Sequence, residues 1–227
     1  MNLKTEKSYY RRGFRLIIGL DEAGRGPLAG PIAAAAVIIS PFYNQINKYS
    51  KAEQIIWKKL LSEVRDSKKL SEKQREKIFP ILTQSSFIKF SYSLVNAKII
   101  DQINIDRATK KAMKNCLKKL LPQLGCQRQI LNNEIILLID GNKIIDPKMT
   151  IPQKTIIKGD DKVFSIAAAS IIAKVIRDHK MKLLAKKYPQ YKFETHKGYP
   201  TKLHRQLIHK YGLCKIHRRS YLKQKLN

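Results

Sequence analysis

The segment Arg15-Leu16-Ile17-Ile18-Gly19-Leu20-Asp21-Glu22 decides the expected fold, because a short apolar run stops at two acidic residues. Such a run predicts a buried β-strand over residues 15–20 that delivers acids at its end. A loop rich in proline and glycine follows it. Residues 32–40, with four alanines followed by Val37-Ile38-Ile39, predict a partner strand. The two segments together predict a β-hairpin.

Outward from this hairpin, apolar patterns predict further strands and helices. We expect strands at residues 86–95, 134–140 and 154–158. We expect helices at 52–64, from Ser71 to an interruption at Pro80, at 106–121 and at 163–187. Strands interleaved with helices predict an α/β fold. Without a repeat or linker, the sequence predicts one domain over 15–227, helical from about residue 190, after a basic N-terminal tail at 1–14.

The charge of the chain indicates a polyanionic partner. Its 46 Lys and Arg residues against 17 Asp and Glu residues give a net charge of +29, more than solubility requires. A general enrichment in lysine explains the same number, so the charge alone leaves nucleic-acid binding open. Three widely spaced cysteines indicate reduced thiols, and neither a secretory signal nor a membrane-length apolar run is present. We expect a soluble cytoplasmic protein.

Acidic residues recur at the ends of predicted strands. Asp21 and Glu22 end the first strand, Asp140 ends the strand at 134–140, and Asp160-Asp161 follows the short strand at 154–158. Each acid taken singly is equally typical of an ordinary turn. Together they supply the hard oxygen ligands that Mg²⁺ or Mn²⁺ prefers. Two such ions about 4 Å apart activate water and stabilise the leaving oxygen in phosphodiester hydrolysis.

Gly24-Arg25-Gly26 follows the first acids directly. Glycines let a backbone approach a ligand closely, and a guanidinium reaches a phosphate or sugar. On its own, this tripeptide is equally an ordinary flexible turn. Its position beside Asp21 and Glu22 favours a role in substrate binding.

Several motifs in this order resemble the type 2 ribonuclease H family, bacterial ribonuclease HII. The resemblance runs from about Arg15 to the C-terminus and rests on the following segments: Asp21-Glu22-Ala23-Gly24-Arg25-Gly26-Pro27-Leu28-Ala29-Gly30, Asp66-Ser67-Lys68-Lys69-Leu70-Ser71, Leu138-Ile139-Asp140-Gly141-Asn142, Lys158-Gly159-Asp160, residues 168–178, His196-Lys197-Gly198-Tyr199-Pro200-Thr201 and His217-Arg218-Arg219-Ser220. It implies an RNase H-like fold, with a central mixed sheet flanked by helices and a helical C-terminal region.

The resemblance also implies an activity. Members of the family hydrolyse the RNA strand of RNA/DNA hybrids and incise duplex DNA at embedded ribonucleotides, using Mn²⁺ or Mg²⁺ and leaving 5′-phosphate and 3′-hydroxyl ends. It implies four catalytic carboxylates, Asp21, Glu22, Asp140 and Asp160, with the first three as metal ligands. Asp161 stays open as an alternative to Asp160. Such an enzyme serves DNA replication and ribonucleotide excision repair, and we expect a monomer.

The resemblance assigns substrate contacts as well. It implies that Gly24, Arg25 and Gly26 recognise the ribonucleotide at its junction with DNA, where the 2′-hydroxyl must be sensed. Tyr199 is implied to stack on the sugar of the following deoxynucleotide, although a tyrosine between glycine and proline is also typical of a turn. Lys68 and Lys69 suit phosphate contact, or form a solvated face.

The remaining residues of these motifs have simpler interpretations. Arg177 and Asp178 are interpreted as structural. For His196 three roles stay open, as a proton carrier, a phosphate contact or a packed histidine, and packing is the default for a lone histidine. The string His217-Arg218-Arg219 predicts contact with a nucleic-acid backbone.

Two other functions fit parts of the pattern. A junction resolvase would share the carboxylate chemistry without the Gly-Arg-Gly turn. A non-catalytic RNA-binding protein would explain the +29 charge but does not need acids at strand ends.

Overall fold

A five-stranded mixed sheet forms the centre of the molecule in the computed structural model, which describes residues 1–39, 49–124 and 134–222. The strands are β1 (Leu16–Ala23), β2 (Ile32–Ile39), β3 (Ile88–Val95), β4 (Ile135–Asp140) and β5 (Gln153–Ile156), in the spatial order β3-β2-β1-β4-β5. Strands β1, β2 and β3 pair antiparallel, as the predicted hairpin requires, whereas β4 pairs parallel to β1 and β5 parallel to β4. The predicted strand at 32–40 is confirmed to Ile39, and Ser40 lies outside the described residues.

Helices cover both faces of this sheet. They are α1 (Lys4–Arg11), α2 (Lys51–Glu63), α3 (Glu72–Gln84), α4 (Ala97–Leu120), α5 (Gly159–Lys162), α6 (Phe164–Lys187), α7 (Phe193–His196), α8 (Lys202–Tyr211) and α9 (Arg219–Leu222). Helices α2, α3 and α6 pack on one face, and α4 packs on the other. The α/β fold expected from the sequence is confirmed.

Helix α6 lies directly against β1 because of Gly19. A Cβ atom at this position would lie 2.3 Å from the backbone carbon of Ser165, closer than any side chain permits. The small residues Ala167 and Ala168 of α6 are fully buried nearby. This close approach lets α6 run beneath the end of β1 that bears the acids.

The N-terminal residues contact this core. The sequence predicts a basic tail at residues 1–14; in the structure this segment includes helix α1, in which Glu6 is only 1% exposed. One carboxylate oxygen of Glu6 accepts hydrogen bonds from the backbone N and the Oγ of Ser165, at 2.9 and 3.0 Å. This helix therefore satisfies polar groups at the start of α6.

Two helix boundaries differ from the sequence prediction. Pro80 does not interrupt α3, which continues to Gln84. Its capping box at Ser71 and Gln74 and the buried Ile78 and Leu82 hold the helix, and these contacts offset a proline cost of about 3 kcal/mol.

The helix predicted at 106–121 begins earlier, at Ala97. Its backbone breaks at Asn104, which has a positive φ of 64°. The Asn104 side chain accepts a hydrogen bond from the backbone N of Arg107 at 3.0 Å. The predicted start near Asp106 therefore corresponds to a second helical segment with its own cap.

Two further expectations concern cysteines and membranes. Cys116 and Cys214 are free thiols, as expected, and Cys126 lies outside the described residues. Among those residues, none of the helices combines the length and the apolar character that crossing a membrane requires.

Candidate active site

Three carboxylates converge at one edge of the sheet. In the parallel pair of β1 and β4, Leu20 lies opposite Ile139, so the next residues along the two strands, Asp21 and Asp140, are neighbours. Asp160 joins them from α5, just after β5. Carboxylate oxygens of these three acids all lie within 4.8 Å of one another.

Backbone amides fix the orientation of two of these side chains. Asp140 accepts a hydrogen bond from the backbone N of Gly159 at 2.7 Å. Asp21 accepts one from the backbone N of Glu22 at 2.6 Å. Asp21 and Asp160 are each only 4% exposed. Their carboxylate oxygens, which could bind a metal ion, are therefore largely shielded from water.

The crowding of acids raises their pKa values. Burial, followed by the negative charges of Glu22 and Asp140, raises the pKa of Asp21 well above its ordinary value. Burial and the neighbouring Asp160 raise the pKa of Asp140. Carboxylates that repel one another in a buried position favour a bound cation, and this donor set of oxygens fits Mg²⁺ or Mn²⁺.

Glu22 lies beside these three acids but outside their mutual set. Strand β1 runs on through Ala23, and successive strand residues point to opposite faces of a sheet. Glu22 therefore lies outside the mutual 4.8 Å set, of which Asp160 is a member. Its carboxylate lines an adjoining cavity of about 230 Å³, which Asp140 also lines. Burial raises its pKa to about 6, against the opposing effect of Arg25.

Asp160 and Asp161 have different surroundings. Asp160 is buried among the acids, and Lys68 Nζ lies 3.0 Å from its Oδ2. Asp161 is exposed and pairs with Lys69 at 2.6 Å. Burial lowers the pKa of Lys68, but the hydrogen bond and charge of Asp160 outweigh it and raise that pKa overall. The geometry thus places Asp160, and not Asp161, beside Asp21 and Asp140.

Arg25 is held over the cavity by Asp106 and Thr109, which no sequence pattern had singled out. Its guanidinium hydrogen-bonds to Asp106, to Thr109 Oγ1 at 3.3 Å, and approaches Glu22 at 3.8 Å. Lys143 contacts the other oxygen of Asp106 at 2.6 Å. Hydrogen bonds from Lys143 and Arg25 lower the pKa of Asp106 to about 2. Asp106 lies on an otherwise ordinary amphipathic helix, so no local pattern distinguished it.

Two buried arginines support the turn formed by Gly24, Arg25 and Gly26. Arg218 donates from Nη2 to the Gly24 oxygen at 2.7 Å and from Nη1 to the Arg25 oxygen at 2.9 Å. Gly24 has a φ of +99°, and a Cβ there would lie 2.1 Å from Arg177 Nε. Arg177 donates instead to backbone oxygens of the adjoining loops. The turn is therefore fixed from its inner side.

The prediction that His217 and Arg218 contact a nucleic-acid backbone is wrong. Their side chains are 2% and 0% exposed, whereas Arg219 is exposed. The Arg218 guanidinium donates to the backbone oxygens of Gly24, Arg25 and Gly30. The interpretation of Arg177 as structural is confirmed, since it is 0% exposed.

Tyr199 lies on the surface above one of these arginines. It is 37% exposed, and its ring centroid lies 5.5 Å from Arg177 Cζ and 5.6 Å from Lys174 Nζ. Its carbonyl oxygen lies 2.9 Å from His204 Nδ1. The ring thus presents a face near the turn while its backbone is anchored below.

Three histidines pack beneath this tyrosine. His196 is buried, as expected, and its ring stacks on His204 with centroids 4.3 Å apart. The backbone N of Cys214 donates to His217 Nδ1, so His217 Nε2 carries the hydrogen and faces His204 Nε2 at 3.2 Å. Burial lowers the pKa values of His204 and His217 to about 4. His204 and His217 are therefore neutral at pH 7.

Comparison with known families decides the relationship. The family model described as Ribonuclease HII matches residues 18–224. The chain belongs to the ribonuclease HII family. It is accordingly an enzyme, an endonuclease of the ribonuclease H class.

Relatives and solved structures agree with this assignment. Proteins named Ribonuclease HII from Caldicellulosiruptor bescii and Caldicellulosiruptor saccharolyticus are 44% and 46% identical, covering 100% and 97% of this chain and 100% and 93% of theirs. The ribonuclease H2 structure from Pyrococcus horikoshii OT3 matches with a TM-score of 0.60 and 26% identity, covering 90% of this chain and 93% of that one. The RNase HII structure in a complex with PCNA from Archaeoglobus fulgidus matches with a TM-score of 0.63 and 22% identity, covering 89% and 93%. The expected RNase H-like fold is confirmed.

Proposed function

We propose that this enzyme hydrolyses the RNA strand of RNA/DNA hybrids and incises duplex DNA at the 5′ side of an embedded ribonucleotide. The observation that carries the proposal is the convergence of Asp21, Asp140 and Asp160 within 4.8 Å beside the cavity lined by Glu22. Burying several like charges together costs free energy. A non-catalytic RNA-binding protein does not need such a cluster, and neither do acids that only form turns.

The chain's own residues divide the work at this site. Asp21, Asp140 and Asp160 would hold Mg²⁺ or Mn²⁺. Glu22, which lines the adjoining cavity, would be the fourth catalytic carboxylate. Divalent cations at such a site activate water and stabilise the charge of a phosphodiester in hydrolysis. Lys68 positions Asp160 through their 3.0 Å contact, and Lys68 and Lys69 would contact a phosphate of the substrate.

Ribose recognition is assigned to the turn at Gly24, Arg25 and Gly26. A Cβ at Gly26 would meet nothing within 4 Å, so this side of the turn is open to a ligand. Arg218 draws the Gly24 and Arg25 oxygens inward, which leaves the outer side of the turn for the sugar. The exposed ring face of Tyr199 suits stacking on the sugar of the next deoxynucleotide.

The test offers three duplexes to the enzyme with Mg²⁺ or Mn²⁺: one DNA duplex with a single ribonucleotide, one of DNA alone and one uniform RNA/DNA hybrid. We expect incision of the first at the 5′ side of the ribonucleotide, cleavage of the hybrid, and none of the DNA duplex. The ends should be 5′-phosphate and 3′-hydroxyl. Cutting of branched DNA that lacks ribose would instead indicate a resolvase.

Substitution of neighbouring acids supplies a matched control. Asp140→Asn and Asp160→Asn should abolish incision while duplex binding persists. Asp161→Asn removes the same charge one residue away, at an exposed position, and should cleave nearly as well as the wild type. Equal loss in the Asp160 and Asp161 variants would contradict the assignment of Asp160, and retained cleavage by Asp140→Asn would contradict the whole site.

We also propose that the enzyme acts as a monomer in the cytoplasm. All four acids come from one chain, so a second copy supplies none of them. Light scattering coupled to gel filtration should give the 26.2 kDa of one chain; a mass twice as large would contradict this.

A further inference from the structure

Helix α4 carries a row of basic side chains on its outer face. They recur every three or four residues, which places them on one side of a helix. We call this row the α4 ridge; its members are Arg107, Lys110, Lys111, Lys114 and Lys118. The opposite side of the helix is buried against the sheet through Ala108, Ala112 and Cys116. The core therefore fixes which way the ridge faces.

The ridge continues from the candidate active site without a gap. The cavity of about 230 Å³ that Glu22 and Asp140 line is also lined by Lys110. Lys110 in turn borders a groove of about 420 Å³ that all the other members of the ridge line. Lys118 then borders a third depression, of about 500 Å³, together with Lys119. A path lined by cations thus leads away from the acids along α4.

Most of the ridge charges form no ion pair within the described part of the chain. Among the residues that the structure describes, Lys114 pairs with Asp146 at 2.6 Å, and no ion pair joins the other four members to a carboxylate. Like charges spaced four apart on a helix destabilise it by a few tenths of a kcal/mol per pair. Fold stability therefore does not account for this row, whereas a bound polyanion would neutralise it.

We propose that the α4 ridge binds the phosphates of the duplex arm on one side of the incision site. This inference rests on the proposed function, because it takes the substrate to be a duplex. Arg107 and Lys118 are eleven residues apart, which corresponds to roughly 16 Å along a helix. This length matches about five base pairs of duplex. Affinity should therefore depend on the length and charge of the duplex arm and not on its base sequence.

The test compares two triple variants with the same loss of charge. The ridge variant carries Arg107→Gln, Lys111→Gln and Lys118→Gln, all at exposed positions. The control carries Lys51→Gln, Lys58→Gln and Lys77→Gln, exposed on α2 and α3 across the sheet. Thermal unfolding checks that both fold; if the ridge triple does not, the single variant Lys118→Gln is compared with Lys58→Gln in the same assays.

Binding is measured with Ca²⁺ by fluorescence anisotropy, on a duplex of about 24 base pairs with one central ribonucleotide, between 50 and 200 mM salt. We expect the ridge variant to lower the slope of log K against log salt by roughly 2 to 3, and to weaken binding at 50 mM salt roughly tenfold or more. The control should change both much less. Equal effects of the two variants would overturn the proposal.

Two shortened duplexes locate the contact. Each keeps one full arm and retains about two base pairs on the other side of the ribonucleotide. The difference between ridge and control variants should persist on one shortened duplex and vanish on the other. A difference that survives both truncations, or a ridge that instead binds an acidic protein and leaves duplex affinity unchanged, would refute the assignment.

Cleavage by the wild-type enzyme is scored separately. If the wild type cleaves at the ribonucleotide but the two variants bind alike, the ridge proposal fails and the proposed function stands. If the wild type does not cleave but the ridge variant still loses salt-dependent binding, the proposed function fails and the ridge stands.

Discussion

Replacement of Arg218 by lysine tests whether the substrate turn depends on a buried guanidinium. Arg218 is 0% exposed and donates to three backbone oxygens: Gly24 at 2.7 Å, Arg25 at 2.9 Å and Gly30 at 3.0 Å. A guanidinium presents its donors as a rigid planar fork, whereas a lysine ammonium is a single point on a flexible stem. One ammonium cannot reach all three oxygens from the same backbone position.

The magnitude follows from the oxygens that lose a donor. Each buried acceptor without a partner costs about 1–3 kcal/mol. The Arg25 oxygen keeps the Tyr221 hydroxyl as a donor at 2.7 Å. With one or both of the Gly24 and Gly30 oxygens released, Arg218→Lys should lower the free energy of unfolding by about 1–6 kcal/mol. The turn at Gly24 and Arg25 should also shift, and a displacement of about 1 Å near a reacting group costs on the order of 100-fold in rate.

The assay is urea unfolding followed by circular dichroism, together with kcat/KM for a duplex with one ribonucleotide at a temperature where both proteins are folded. Arg219→Lys is the matched control, because Arg219 is the next residue and is exposed; its unfolding free energy should stay within about 0.5 kcal/mol of the wild type. If Arg218→Lys matches that control in both stability and kcat/KM, the guanidinium does not hold the turn.

Three further predictions concern other buried groups. His204 and His217 have pKa values of about 4 in the folded protein, against about 6.5 in an unfolded chain, so only the unfolded state gains protons as the pH falls from 6.5 to 4. The stability contribution of each histidine should be complete above pH 6.5 and decline by roughly 3 kcal/mol toward pH 4. In urea unfolding at several pH values, equal slopes for the wild type and a His204→Gln, His217→Gln double variant would argue against it. Gly24→Ala should be less stable in urea unfolding and cleave at least tenfold more slowly, because Gly24 has a positive φ and a Cβ there would lie 2.1 Å from a neighbouring side chain. Gly26→Ala is the control: the space around Gly26 is open, so its stability should be unchanged. Similar stability of the two variants would count against the steric argument. Glu6→Ala should cost about 1–3 kcal/mol in urea unfolding, because two donors at the start of α6 lose their acceptor, and an unchanged midpoint would contradict that role.

The sequence predicted the acids at the ends of β1 and β4 because an apolar run followed by an acid is a local pattern. The adjacency of these strands is not local. Asp21 and Asp140 become neighbours because β4 crosses over to pair parallel with β1, a topology that either strand alone leaves open. The family resemblance supplied the expectation of adjacency, and the register places the two side by side.

The surroundings of Glu22 depend on where strand β1 ends. The sequence predicts a strand over residues 15–20 with Asp21 and Glu22 at its end. The strand extends to Ala23, so the two side chains leave the backbone on opposite faces, and Glu22 lines the cavity beside Asp140. Such a boundary depends on the pairing with β2, where Glu22 lies opposite Ala34, and not on the local residues.

Burial of the arginines was likewise beyond local pattern. Arg218 and Arg219 are adjacent and chemically identical, and only the contact with the loop after β1 makes one structural and the other exposed. Composition favoured the interpretation of both as phosphate contacts, because surface arginines are far commoner than buried ones.

The two buried arginines also change the explanation for the glycines of the substrate turn. From the sequence, Gly24 and Gly26 had one shared purpose, which was to let a ligand approach the backbone. In the structure, the space that a side chain at Gly24 would need is taken by Arg177, inside the protein, while the space at Gly26 is open. Gly24 therefore serves the support beneath the turn and Gly26 serves the surface above it. A substitution at Gly24 should act first on the conformation of the turn, and a bulky substitution at Gly26 should act on substrate affinity while the turn keeps its shape.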